Sequence, residues 1–251
     1  MGRHPHPYLE APDGFIPFAH RGGTSEAPEN TMPAFRHAVS LGYRYLETDV
    51  QLTADGHLVA VHDDDLRRTC ATPGRISTMT RAEVARARVG GREPIPLLVE
   101  LLEEFPTARF NIDAKSDATV DPLIDVLRRT SSLERVCIGS FSHRRLRRVR
   151  RALGSSVCTS ASPVEVATWV AGRIPTGPSC LQVPPRQGPL PVVTRRSVRR
   201  AADAGLPVHV WTIDDAHVMQ ELIDIGVNGI MTDRCEVLRA VAAANGLWPL
   251  T

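Results

Sequence analysis

The sequence predicts an α/β fold, a single (β/α)8 barrel, on three observations: a chain of 251 residues, a strand, helix, strand rhythm along most of it, and apolar runs that end in polar residues. A hydrophobic content of 42% over that length suffices to bury a full core. No internal repeat or low-complexity tract interrupts it, so residues 1–251 read as one barrel domain.

The β-like runs lie at 15–19, 44–50, 58–62, 109–114, 135–139, 156–159, 180–183, 207–213 and 228–232. Helical patterns fill most gaps between them, at 31–41, 95–104, 119–130, 143–152, 163–171, 194–204 and 215–225. Nine strand candidates are one too many for the barrel. The stretch from Val50 to Leu58 is too short for a parallel crossover, and Asp55-Gly56 is a hairpin turn signal. The run at 58–62 is therefore expected to fold back on the second strand and carry His62 and Asp63 to the same end of the barrel. Residues 63–94 are rich in turn formers, with one short helical pattern from Thr80 to Arg88, and predict a small excursion over the barrel mouth. Thr194 and Asp215 are candidate N-caps, and Gly205 and Gly226 stand where helices should end.

Composition narrows the functional classes. The formal charge of +2 is too slight to imply a nucleic-acid partner. Five cysteines, Cys70, Cys137, Cys158, Cys180 and Cys235, are odd in number, scattered and never in C-x-x-C spacing, which argues against a disulfide framework or a zinc cage. Residues 1–14 are polar and proline-broken, and no run of about 18 apolar residues occurs. A soluble, cytoplasmic protein is the expectation.

The chemistry gathers at strand ends. Glu47 and Asp49 are two apart on one strand and project from the same face, and Asp113 and Lys115 repeat that spacing on a later one. Taken singly, each acid reads equally as a surface ion pair with Arg44, Arg109 or another arginine. Together, three carboxylates at one mouth require a cation or raised pKa values, and an all-oxygen set suits a hard divalent ion, Mg²⁺ or Ca²⁺. His20 directly follows FIPFA and His62 directly follows LVAV. A pair of imidazoles in matching positions suits proton transfer in both directions, as cleavage of a phosphodiester requires. Arg21 offers a planar fork for phosphate oxygens, and Lys115, the only lysine in the chain, a compact positive charge. Asp63 could fix a His62 tautomer, contact a metal or be solvated. Glu29 or Asn30 is expected to cap the helix that starts near Thr31.

These residues fall into ordered motifs: His20-Arg21-Gly22, Pro28-Glu29-Asn30-Thr31, Glu47-Thr48-Asp49, His62-Asp63, Asp113-Ala114-Lys115, Val208-His209-Val210-Trp211-Thr212 and Gly226-Val227-Asn228-Gly229-Ile230-Met231-Thr232-Asp233. From about residue 15 to 240 the chain resembles the glycerophosphodiester phosphodiesterase family. The resemblance implies a distorted (β/α)8 TIM barrel of the PLC-like phosphodiesterase type, with one divalent cation, Mg²⁺ or Ca²⁺. It implies Glu47, Asp49 and Asp113 as metal ligands and His20 and His62 as general base and acid. Arg21 and Lys115 would hold the phosphate, and Trp211, otherwise a core residue, would line the glycerol or head-group pocket. The expected reaction converts a small-molecule glycerophosphodiester to an alcohol and sn-glycerol 3-phosphate, with the substrate 2-hydroxyl as first nucleophile. Asp113 departs from the more frequent Glu and is shorter by one bond, about 1.5 Å.

Two rivals stand beside this reading: a lysophospholipase D or sphingomyelinase D-like phosphodiesterase on the same barrel, and a catalytically silent barrel that binds phosphorylated ligands. The basic run from His143 to Arg151 carries Leu146, Val149 and Leu153 at helical spacing. It predicts an apolar stripe on the barrel with solvated arginines, the alternative being a transient contact with an anionic membrane. Oligomeric state is not legible.

Overall fold

A computed structural model of the chain describes residues 6–11 and 13–248; part of the polar segment 1–14 lies outside the described residues. The strands are β1 (Ile16–Ala19), β2 (Tyr45–Leu52), β3 (Leu58–Ala60), β4 (Arg109–Ala114), β5 (Val136–Gly139), β6 (Cys158–Thr159), β7 (Leu181–Val183), β8 (Arg186–Gln187), β9 (Leu190–Pro191), β10 (Val208–Val210) and β11 (Gly229–Thr232). The main sheet runs β6-β5-β4-β2-β1-β11-β10-β7, with every neighbouring pair on that path parallel. A parallel bridge between Ser160 and Cys180 brings its two edges together. There the Ala161 N–H donates to the Cys180 carbonyl at 2.9 Å and the Ser179 N–H to the Thr159 carbonyl at 2.8 Å. The result is a distorted (β/α)8 barrel whose seam is its thinnest part. As the turn signal predicts, β3 pairs antiparallel with β2, Val50 opposite Ala60.

The helices are α1 (Met32–Ser40), α2 (Arg67–Cys70), α3 (Arg81–Val84), α4 (Leu98–Glu104), α5 (Val120–Arg129), α6 (His143–Leu153), α7 (Pro163–Val170), α8 (Arg195–Asp203), α9 (Ala216–Ile225) and α10 (Cys235–Ala244). Strand alternation divides the core. Val136 and Ile138 of β5 face the helices, whereas Cys137 between them joins the barrel interior with Phe18, Tyr45 and Met231. Tyr8, fully buried beneath them, packs edge-on against Tyr45 with ring centroids 5.3 Å apart and closes the floor. The excursion has its own small apolar cluster, including Leu66, Ile76, Val84 and Val89.

Local chemistry accounts for the boundaries. Thr194 and Asp215 cap α8 and α9 through their side chains, and Gly226 ends α9 in the left-handed region. Pro94 and Pro96 bias the residues before them toward extended backbone, so α4 begins at Leu98 and not at 95. The helix expected from Thr80 to Arg88 shortens to α3, because Arg86 and Ala87 bond three residues back and tighten into turns. The sequence reading omits α10 and the β8-β9 hairpin; the latter's two-residue strands are too short to alternate. Among the described residues, no helix is long and apolar enough to cross a membrane.

The basic helix α6 buries Leu146, Val149 and Leu153 as its spacing predicts. Its arginines are not all solvated. Arg145 lies 2.7 Å from Asp117, and Arg150 is mostly buried 2.5 Å from Glu165 on α7.

Candidate active site

The candidate side chains line one cavity at the end of the barrel at which barrel active sites form: His20, Lys115 and Trp211 directly follow β1, β4 and β10, Asp113 is near the end of β4, Glu47 and Asp49 lie in β2 just past its pairing with β1, and His62 follows the hairpin strand β3. His20-Arg21-Gly22 form a single turn after β1, with Arg21 at φ 52° and Gly22 at φ 83°. A Cβ on Gly22 would stand 2.9 Å from the Phe35 backbone nitrogen, so only glycine lets this turn pack on α1. The turn aims the Arg21 backbone N–H at Glu47 Oε2, 3.0 Å away. The Arg21 guanidinium spans Asp49, 3.1 Å, and Glu29, 3.0 Å.

The two histidines are held alike. Asp233 Oδ1 lies 2.8 Å from His20 Nδ1, and Asp63 Oδ1 lies 2.6 Å from His62 Nδ1. A carboxylate at Nδ1 favours the proton on that nitrogen and leaves Nε2 for chemistry. His20 Nε2 is 3.8 Å from Glu47 Oε2. Burial opposes a charge on His20, but Glu47 and Asp233 outweigh it and raise its pKa. Asp63, of its possible roles, fixes the His62 ring; its other oxygen accepts from Arg68, which also binds both Glu29 oxygens at 2.7 and 2.8 Å.

The three acids are buried, with Asp49 and Asp113 in register on adjacent strands. Lys115 Nζ lies 2.7 Å from Asp49 and 2.6 Å from Asp113. Burial and the neighbouring Asp49 push Glu47 up to about 7. Burial also acts to raise Asp49, but Lys115 and Arg21 outweigh it and hold its pKa down. Arg44 and Arg109 take no part; Arg109 instead donates to the Glu10 carbonyl at 2.7 Å and to Tyr45 Oη at 2.9 Å. The set fits a hard cation: its donors are all oxygen, and Asp113 Oδ1 is buried without a partner.

Glu29 and Asn30 do not cap α1. Thr31 is the N-cap residue, and Asn30, buried at φ 56°, donates to Asp49 Oδ2 at 3.0 Å and accepts from Thr48 Oγ1 at 2.8 Å. Although Asn30 stands next to a helix start, its left-handed backbone turns its amide into the barrel. Asp233 was also missed as a site residue, although an acid directly after β11 is the counterpart of a histidine directly after β1.

All eight candidates line one cavity of about 790 Å³. Trp211 is half-buried, packing against the interior cluster on one side and standing in the cavity wall on the other, edge-on to Phe141 with centroids 5.8 Å apart. Another part of the lining, from α7 and the β8-β9 region, is largely apolar and includes Pro163, Val166, Val170, Leu190 and Val192.

A barrel mouth with paired imidazoles, three acids and two cations defines a hydrolase-type α/β barrel suited to an anionic substrate. Residues 20–237 match the model of the Glycerophosphoryl diester phosphodiesterase family. The chain is 40% identical to the Probable glycerophosphodiester phosphodiesterase 2 of Mycobacterium tuberculosis over 94% of this chain and 93% of that protein. The glycerophosphodiester phosphodiesterase of Agrobacterium tumefaciens superposes with TM-score 0.75 at 24% identity, over 90% of this chain and 99% of that one. An Oleispira antarctica phosphodiesterase, solved with its product sn-glycerol-3-phosphate, superposes with TM-score 0.75 at 22% identity, over 91% and 96%. The chain belongs to the glycerophosphoryl diester phosphodiesterase family and is an enzyme of that class.

Proposed function

We propose that the protein hydrolyses glycerophosphodiesters to an alcohol and sn-glycerol 3-phosphate, with His20 and His62 sharing the proton transfers. The observation that carries this reading is the matched pair of imidazoles, each held at Nδ1 by a carboxylate beside the cavity that Arg21 and Lys115 also line. One imidazole takes the proton of the substrate 2-hydroxyl, whose oxygen attacks phosphorus. The other gives a proton to the departing alcohol. Water then opens the cyclic phosphate with the two roles exchanged. Arg21 and Lys115 hold the phosphate oxygens as negative charge builds on them.

Glu47, Asp49 and Asp113 would hold one divalent cation, Mg²⁺ or Ca²⁺, which supplies Lewis-acid polarisation of the phosphoryl oxygens when bound. Family enzymes generally depend on a divalent metal, which supports this assignment. Trp211 would face the glycerol or head group. The barrel would act as one catalytic domain, with residues 63–94 as a small flanking excursion.

The decisive experiment measures release of glycerol 3-phosphate from several glycerophosphodiesters with Ca²⁺, with Mg²⁺ and with chelator. Metal-dependent release supports the reading, and release unaffected by chelator removes the cation from it. The apolar wall from Pro163 to Val192 favours a second reading, a lysophospholipid as substrate, with its acyl chain along that wall. A parallel assay on glycerophosphocholine and lysophosphatidylcholine separates the two.

A further inference from the structure

The scattered cysteines converge in the barrel. Cys137 on β5, Cys158 on β6 and Cys180 immediately before β7 are fully buried. Cys137 pairs in register with Cys158, and the seam bridge at Cys180 brings the third strand alongside. The Cys137 and Cys180 sulfurs are 3.9 Å apart, and all three sulfurs lie within 4.8 Å of one another. Among the described residues, no other group of three or more His, Cys, Asp or Glu ligand atoms is gathered so closely.

A buried free cysteine ordinarily serves as a small apolar side chain. His209 makes this set different. It projects inward from β10, is fully buried against Phe18, faces the Cys180 thiol, and has neither ring nitrogen hydrogen-bonded. An imidazole buried without a bond at either nitrogen forfeits its hydration for nothing, unless another ligand engages it. The three sulfurs alone fall within 4.8 Å of one another; His209 lies outside that group beside Cys180, and a turn of its ring toward the sulfurs would complete a Cys3His donor set, an established structural zinc combination.

We propose that Cys137, Cys158, Cys180 and His209 bind a zinc ion in the barrel interior, distinct from the hard-cation site at the mouth. Gln182 and Asn111, hydrogen-bonded at 2.8 Å, line the mouth cavity and belong to that site. Binding forms three Zn–S bonds and releases three thiol protons to solvent. His209 donates a neutral nitrogen, so the site carries one net negative charge. Because the donors are sealed from water, the ion enters as the chain folds and ties together β5, β6, β7 and β10 across the thin seam.

The test uses the full chain, purified under reducing conditions and dialysed against EDTA in the native state. Elemental analysis is expected to find about one zinc per chain, released on unfolding or on titration with a mercurial. Refolding with Co²⁺ is expected to give a thiolate-to-cobalt charge-transfer band, which oxygen ligands at the mouth do not produce. The band should weaken in Cys158→Ser, which keeps two of the three thiolates, and retain its full strength in Cys70→Ser, whose thiol lies outside the set. Absence of zinc from the folded wild-type protein, copper in its place, or refolding with cobalt without that band overturns the proposal. The wild-type measurements decide the matter even if Cys158→Ser fails to fold.

Discussion

His20 Nδ1 lies 2.8 Å from Asp233 Oδ1, joining the residue after the first strand to the residue after the last. The strands that carry them, β1 and β11, are paired in parallel, so the contact is a consequence of barrel order. Asp233→Asn keeps the shape but removes the negative charge that favours the Nδ1–H tautomer. A fall in kcat of about 10²-fold is expected, with KM little changed, measured by steady-state hydrolysis of glycerophosphocholine. An unchanged kcat would show that His20 needs no orienting acid.

His20→Ala and His62→Ala should each lose at least ~10²-fold in kcat, and the double variant little more than the worse single one. The wild-type rate should follow a bell-shaped pH profile. Multiplicative losses in the double variant would mean that the two imidazoles act independently.

Arg21→Lys keeps the charge but loses the fork that spans Asp49 and Glu29. KM should rise about 10-fold, equivalent to about 1.4 kcal/mol. Equal kinetics for the two enzymes would reduce Arg21 to a simple counter-ion.

Asn30→Ala removes both buried side-chain hydrogen bonds, to Asp49 and Thr48. The expected loss of stability is about 1–3 kcal/mol, read from chemical denaturation, because the partners remain buried. A loss no larger than that of an exposed substitution would contradict this account.

Acid stability follows from Glu165. Burial acts to raise its pKa, but Arg150 and the Ser162 donors outweigh it and hold it below the ordinary value of 4.5. A carboxyl depressed by folding contributes fully above 4.5 and loses that contribution as pH falls through its folded value. Between about pH 5 and 3, the Tm of Glu165→Gln should therefore fall less steeply than that of the wild type. Parallel slopes would remove Glu165 from the acid response.

The alternation of strands and helices is written in the sequence alone, because apolar period and turn chemistry are local properties. So is the placement of residues at or near strand ends, and hence the meeting of His20, Glu47, Asp49, His62, Asp113 and Lys115 at one mouth. What each side chain touches depends on the folded arrangement. Asn30 reads locally as a cap, and its role on Asp49 depends on a left-handed backbone and a strand 19 residues away. Asp233 reaches His20 only because β11 returns beside β1. Arg150 belongs to a basic run by sequence, yet it is committed to Glu165 because α6 packs beside α7. The cysteines make the point most sharply. Their spacing argues against a metal cage, but a closed sheet sets contacts by strand order and not by distance along the chain, and it brings Cys137, Cys158 and Cys180 within 4.8 Å.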